Sequence, residues 1–369
     1  MKTLQHDRRS AIVALASLVA AGRGLAADAA RGEPAGPDRF HALSQPALRV
    51  RAPARSVLLA AAPAGQRIVA VGERGLIALS DDGGVTWRQA RQVPVSTTLT
   101  AVRFTDPENG LAVGHGGVIL STRNGGEDWQ LKADGRTLAL SAKAAAQARQ
   151  AAGDPRAPHL LKEAELLVQD GPDKPLLDVI HDGNGRAIVI GAYNLIFEST
   201  DGGVSWKSAQ DRLDNPRAKH LYALRAHGPT WLLAGEQGLL LRSVDGGRTF
   251  SPLRVPYEGS WFALAVTAQG EWVVAGLRGN VFYSADAGQS WKQIEGVPPV
   301  SIVSATAAPD GSVLLANQSG ELFSTRSGAP ALPLGLPPLP PLSQALMMAS
   351  GEILAVGMGG AIRVGSKKP

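Results

Sequence analysis

Ser80-Asp81-Asp82-Gly83-Gly84-Val85-Thr86-Trp87 returns in four further versions: residues 122–129 (TRNGGEDW), 199–206 (STDGGVSW), 243–250 (SVDGGRTF) and 284–291 (SADAGQSW). Each reads Ser/Thr-x-Asp/Asn-x-Gly-x-x-aromatic. The acid or amide (Asp82, Asn124, Asp201, Asp245, Asp286) is placed to cap backbone N–H groups of a turn, and glycine supplies the positive φ. The aromatic (Trp87, Trp129, Trp206, Phe250, Trp291) anchors the strand that leaves the hairpin. One such hairpin says little about a fold. Five in register define an array.

A second signal precedes each box and continues beyond them. An apolar triplet ends in Gly or Asn, two variable residues follow, and Gly or Asn opens the next apolar strand, as in Val71-Gly72-Glu73-Arg74-Gly75 and Ala275-Gly276-Leu277-Arg278-Gly279. From Gly72 through Gly114, Gly191, Gly235, Gly276, Asn317 and Gly357 the steps are 42, 77, 44, 41, 41 and 40 residues. Seven units of about 40–45 residues, with one insertion of about 35, predict an all-β, seven-bladed β-propeller. A β-solenoid would repeat over a shorter period.

The N-terminal 29 residues stand outside the repeats. Lys2, Arg8 and Arg9 lead into a short apolar run over 10–21 and then small residues, which reads as a secretory signal, of the general secretory rather than the twin-arginine type. Export places the chain in a periplasm, and the absence of Cys is compatible with a large core that needs no disulfides. Residues 30–55 read as a linker, with 41–50 expected to supply the outer strand that the last repeat lacks. The propeller then occupies 56–369. Blade six loses its box, since Ser327 stands at the acidic position and Ala331 at the aromatic one. The Pro- and Leu-rich run over 330–341 is expected to form that blade's outer strand.

Residues 136–175 break the β pattern. An Ala-rich stretch, an Asp154-Pro155 break and a second helical stretch predict a helical hairpin between blades two and three. Removing 138–169 is expected to spare folding and abolish partner capture. In an up-and-down blade this insertion shares a face with the Gly-x-x-Gly loops. That face is expected to bind a partner through Arg74, His115, Tyr193, Lys219, Glu236, Tyr257, Trp261 and Arg278. The box face repeats itself and is read as structural.

The side-chain inventory weighs against catalysis. The best sialidase-like assembly is Tyr257-Glu258 with Arg74 and Arg278, and a two-carboxylate glycosidase would need Glu73 and Glu236, which lie nearly opposite across a ring. A non-catalytic carbohydrate-binding propeller is the third alternative. The seven histidines show no ligand spacing, so neither metal nor other cofactor is implied. A net charge of +5 without a dense basic, aromatic-interleaved run points away from nucleic acid.

The evenly spaced boxes and the apolar-Gly-x-x-Gly-apolar pattern before each resemble the Ycf48/HCF136 Asp-box (BNR) repeat family. The resemblance covers about residues 56–364 and departs from the family's pattern at the helical insertion and the lost sixth box. It implies a rigid extracytoplasmic platform that binds membrane-protein partners. With the side-chain inventory, the expected function is a non-enzymatic assembly or accessory factor, monomeric by itself, for a membrane-protein complex or transporter at the inner membrane.

Overall fold

The computed structural model describes residues 39–365. The expected secretory signal lies outside the described residues. Among the described residues the strands form seven antiparallel sheets, each a simple meander from an inner to an outer strand. The inner strands are Leu58–Ala64, Leu99–Phe104, Leu176–His181, Leu221–His227, Trp261–Val266, Ile302–Ala307 and Leu342–Met347. Second strands such as Gly110–Gly114, Ala187–Gly191, Trp272–Gly276 and Ile353–Gly357 are buried along their whole length. Their unbroken apolar runs follow from that position, because each is covered on both faces by neighbouring blades.

The core is therefore divided into clusters between successive blades. Val71, Leu79, Leu99 and Leu120 join blades one and two, and Leu224, Leu233, Ile188 and Ile190 join blades three and four. The ring closes where Leu58, Ala61, Ile68 and Ala70 of blade one meet Leu354 and Val356 of blade seven. The chain is a seven-bladed β-propeller with a helical hairpin between blades two and three.

The closing-strand expectation is corrected. The seventh sheet holds three strands, Leu342–Met347, Ile353–Gly357 and Gly360–Val364. Residues 41–50 lie instead along the crossover that leaves blade one. His41–Leu43 is a 3-10 turn with Leu43 buried between blades one and two. Ser96 N donates to Ala42 O at 2.8 Å, Ala47 N to Val93 O at 3.0 Å and Val50 N to the Gln89 side chain at 3.0 Å. These bonds to blade one occupy the polar groups a ladder on blade seven would need. Pro53–Arg55 reaches that blade, so close that a Cβ on Gly360 would meet Ala54 O at 1.9 Å.

The boxes act as the sequence implies. Asp82 Oδ1 accepts from Ser80 Oγ (2.9 Å), Val85 N (3.1 Å) and Thr86 N (2.8 Å), Oδ2 accepts from Thr86 Oγ1 (2.6 Å), and Trp87 Nε1 donates to Gly84 O (3.1 Å). Asp201, Asp245 and Asp286 repeat the arrangement. These bonds, the Thr86 hydroxyl first, hold Asp82 down at about 2, and the equivalent hydroxyl and backbone donors hold Asp201 and Asp286 there too. A carboxyl held below its ordinary value of 3.8 adds stability that is full above that value and is lost as pH falls through about 2. Asp82→Asn, which copies Asn124 of the second box, is therefore expected to flatten the fall of melting temperature between pH 4 and 2. An unchanged slope in a pH series of melting curves would refute the role. Blade six keeps its turn without a box, with Thr325 Oγ1 donating to Ala329 O (2.7 Å), Ala331 buried, and Leu332–Pro333 as the short outer strand.

Candidate functional site

The second residue of the Gly-x-x-Gly loop adopts the left-handed conformation without being glycine in four blades: Arg74 (φ 54°), Tyr193 (φ 53°), Gln237 (φ 51°) and Arg278 (φ 56°). All four side chains are exposed. Each loop is tied to the segment entering the next blade. Gly75 N donates to Thr97 O, Tyr193 N to His220 Nδ1, Gln237 N to Ser260 Oγ and Arg278 N to Ser301 Oγ, at 2.8 to 3.4 Å. The uncommon backbone conformation is thus held by specific bonds, which is how a loop presents a side chain rigidly.

Between blades three and five these loops merge into one cluster. The Tyr193 ring stands edge-on to His220 (centroids 4.7 Å), with Lys174 Nζ 5.3 Å from its centre. His220 N donates to Glu236 Oε2 (3.3 Å), and Lys219 Nζ donates to Gln237 O (2.8 Å). Burial, followed by the neighbouring charge of Arg217, pulls Lys219 below its ordinary value. On the next blade Tyr257 donates its hydroxyl to Leu277 O (3.0 Å), and burial raises its phenol.

The expected set is therefore only partly brought together. Tyr193, Lys219 and Glu236 share this cluster, and Tyr257 and Arg278 continue it on the adjoining loop. Arg74 is exposed on blade one. His115 is half-buried on blade two, its N–H bonded to Thr98 O (2.8 Å), and burial pushes its imidazole below the ordinary value. Trp261 is corrected outright, because it is fully buried. It holds the first position of its inner strand, where the other blades carry Leu58, Leu99, Leu176, Leu221, Ile302 and Leu342, and it packs between blades four and five. Aligning the seven repeats at that position marks it as core. Its Nε1 has no partner, and its ring supports Tyr257 edge-on at 5.1 Å.

The helical hairpin, α1 (Gly135–Ala151) and α2 (Ala157–Asp170), flanks this cluster on the rim of blade three. Asp134 caps α1 through the backbone N–H groups of Arg136 and Thr137, while Thr137 Oγ1 accepts from Asp134 N. Leu138, Ala142 and Ala164 enter the core between blades two and three with Phe197 and Trp206, and Ser141 Oγ donates to Trp206 O (2.6 Å). The hairpin thus contributes buried side chains to the core, which weighs against the expectation that its removal spares folding. Arg149 pairs with both Asp154 and Asp211, and Arg156 NH1 donates to Asp211 O (2.9 Å). Between α2 and the linker after blade three runs a groove of about 590 Å³, lined by His159, Glu163, Asp214, Asn215 and Phe250 and reaching Asn194 beside Tyr193. Burial raises Glu163, with His159 partly offsetting it.

The central channel holds charges that sequence reasoning passed over. Asp178, buried on the inner strand of blade three, accepts from Arg103 NH2 of blade two (3.2 Å) and Arg225 NH1 of blade four (2.5 Å). It also accepts from Val179 N (3.0 Å) and Leu224 N (3.1 Å). Burial pushes its carboxyl up, but the two guanidiniums and the Leu224 N–H outweigh that and hold it below 3.8. A signal was available, since the equivalent positions of the other inner strands carry no charge: Ala60, Ala101, Ala223, Ala263, Ser304 and Gln344 for Asp178, and Ala62, Ile180, Ala265, Thr306 and Leu346 for the arginines.

Among the described residues no cluster of His, Asp or Glu is arranged to hold a metal, and no helix is long and apolar enough to cross a membrane. A family model described as photosynthesis system II assembly factor YCF48 matches residues 163–329. The photosystem II assembly lipoprotein Ycf48 of Synechococcus sp. (strain CC9902) is 24% identical over 168 residues, 44% of this chain and 49% of that protein. The chain thus spans about half the length of that curated relative. Of solved structures, one described as YCF48 bound to D1 peptide superposes with a TM-score of 0.63 at 17% identity, over 88% of this chain and 100% of that one. The GH74 xyloglucanase from Xanthomonas campestris gives 0.61 at 14% identity, over 86% of this chain and 53% of that one. At such identities the superpositions speak for the fold alone.

Proposed function

We propose that this chain, a Ycf48-like Asp-box β-propeller, is a non-enzymatic assembly or accessory factor for a membrane-protein complex. The observation that carries the reading is the loop face of blades three to five. There Tyr193, Lys219, Glu236, Gln237, Tyr257 and Arg278 are presented on hydrogen-bonded loops, and a groove of about 590 Å³ reaches Asn194 beside Tyr193. Aromatic and Arg side chains held rigidly are the usual anchors of a protein interface. The relatives' names, assembly factor and lipoprotein, support the role class and an exported, membrane-associated setting. This chain has no Cys, so a thiol-linked lipid has no attachment point in these 369 residues. A periplasmic location and an inner-membrane transporter as client are the finer form of the proposal.

A hydrolase reading finds less support. The Tyr257 hydroxyl is committed to Leu277 O and its phenol is raised, the opposite of an activated nucleophile. The test is a photocrosslinking amino acid placed at Tyr193, with a control at Val204, which is 70% exposed on the box face. Crosslinks from position 193 to one integral membrane complex, and none from 204, are expected. Equal labelling from both faces, or turnover of fluorogenic glycosides by the purified chain, would overturn the proposal.

A further inference from the structure

Two guanidiniums in the channel share one carboxylate, and the sum is one uncompensated positive charge. Asp178 takes one N–H from Arg103 and one from Arg225, and Arg225 NH1 also donates to Leu224 O (2.6 Å). The remaining N–H groups of both forks have no protein acceptor among the described residues. Each guanidinium carries five donors in a plane, so several are left unspent. The two side chains are each about a quarter exposed (26% and 25%), and both line two adjoining spaces that share Ala305, Thr306 and Gln344. One, about 120 Å³, lies on the side of the loop face, and the other, about 270 Å³, on the side of the box face.

The rest of the wall fits an anion of small size. Apart from Asp178 and the two arginines the linings carry no charge, and they are made largely of small residues with Thr100, Ser304, Ser343 and Gln344 interspersed. Gln344 accepts from Ala61 N through Oε1 (2.7 Å), which leaves its amide N–H₂ as a further donor. At the mouth Tyr222 and Phe262 form an edge-to-face pair (5.5 Å), and the Tyr222 hydroxyl is buried without a partner. Low local dielectric strengthens what these donors offer, and a planar guanidinium matches a carboxylate better than a point charge does.

We infer that the channel between Arg103 and Arg225 binds a carboxylate group that enters from the loop face past Tyr222, Phe262 and Ser343. Asp178 positions the two forks and keeps the site at a single net positive charge, which selects a monoanion. The group is either a free small carboxylate or the carboxyl terminus of a chain. This site does not depend on the partner-binding reading, since it lies inside the ring and uses none of the loop side chains.

The test is isothermal titration calorimetry on the full chain at low ionic strength, where screening is weakest. Three probes are used: N-acetyl-trialanine with a free carboxylate, its C-terminal amide, and sodium acetate. The acid is expected to bind at least tenfold more tightly than the amide. Arg103→Gln is expected to lose at least tenfold. Ser343→Leu, which narrows the mouth and leaves every charge in place, is expected to abolish binding even if the arginine variant folds poorly. Acetate binding as tightly as the peptide acid identifies a free small anion as occupant, and tighter binding of the peptide identifies a chain terminus. Equal binding of acid and amide, absence of heat with all three probes at millimolar concentration, or unchanged binding by Ser343→Leu would each overturn the inference.

Discussion

Asp178→Ala is expected to lower the melting temperature by on the order of 10 °C. Removing the carboxylate leaves Arg103 and Arg225 facing one another across the channel, and it strips Val179 N and Leu224 N of an acceptor. Breaking a buried ion pair from one side costs about 3–5 kcal/mol, because the orphaned charge keeps its desolvation penalty. For domains above 150 residues each kcal/mol moves the midpoint by roughly 2–4 °C. The triple change Arg103→Met, Asp178→Leu and Arg225→Met should recover most of the loss, since an apolar replacement of similar volume removes the penalty together with the attraction. A midpoint for Asp178→Ala within 2 °C of the native chain would show that the triad is not coupled as its geometry indicates.

The pH dependence of that difference has a defined sign. Asp178 is held below its ordinary 3.8 in the folded chain, so its contribution is full above that value and is lost as pH falls through the folded value. The gap between the native chain and Asp178→Ala should therefore be constant from neutral pH to about 4 and narrow below it. If the apolar triple recovers the stability, the charges of the triad serve a binding device rather than a staple, which links this expectation to the carboxylate site.

The architecture was legible because it depends on local, repeated chemistry. Asp82, Ser80 and Trp87 satisfy their turn within eight residues, and a pattern that closes locally is visible in one dimension. Blade six was legible for the same reason, its Pro-rich run pairing as Phe323 with Pro333 and Ser324 with Leu332. The closing strand was misjudged because ring closure is a non-local event. Side-chain packing of Leu58 and Ile68 on Leu354 suffices for it, while Ala47 and Val50 find nearer partners on blade one. Trp261 was misplaced because an aromatic in a linker-like stretch reads as exposed until the strand bulge between residues 261 and 263 turns it inward. The channel triad joins residues 75 and 47 positions apart, and no periodicity within one repeat announces such a contact.

Deleting residues 136–170 is expected to destabilise the propeller by on the order of 5 kcal/mol, although the chain ends it leaves are neighbours. Gly135 and Pro172 already touch, a Cβ on Gly135 lying 2.8 Å from Pro172 Cα, so the cut can be closed without stretching the backbone. The cost comes from what the two helices cover. Leu138, Ala142 and Ala164 hide Trp206 and Phe197, and a buried Trp contributes 150–250 Å² at about 25 cal/mol per Å². Trp206 also lacks the indole bond that Trp87, Trp129 and Trp291 make to their own turns, so its packing against α1 is what holds it. Leu138→Ala alone should cost about 2–5 kcal/mol. Leu140→Ser and Leu166→Ser, on outward positions that are 60% and 49% exposed, should stay within about 0.5 kcal/mol of the native chain. Thermal melts and tryptophan emission check this together. The deletion and Leu138→Ala should lower the midpoint, and the deletion should red-shift the emission, while the two serine variants change neither. A deletion variant that melts within 2 °C of the native chain with unshifted emission would return the hairpin to the status of a removable appendage, and loss of partner capture by that variant could then be assigned to the hairpin itself. If the melt falls as expected, capture must be tested with Leu140→Ser and Leu166→Ser, because only those keep the blade beneath intact.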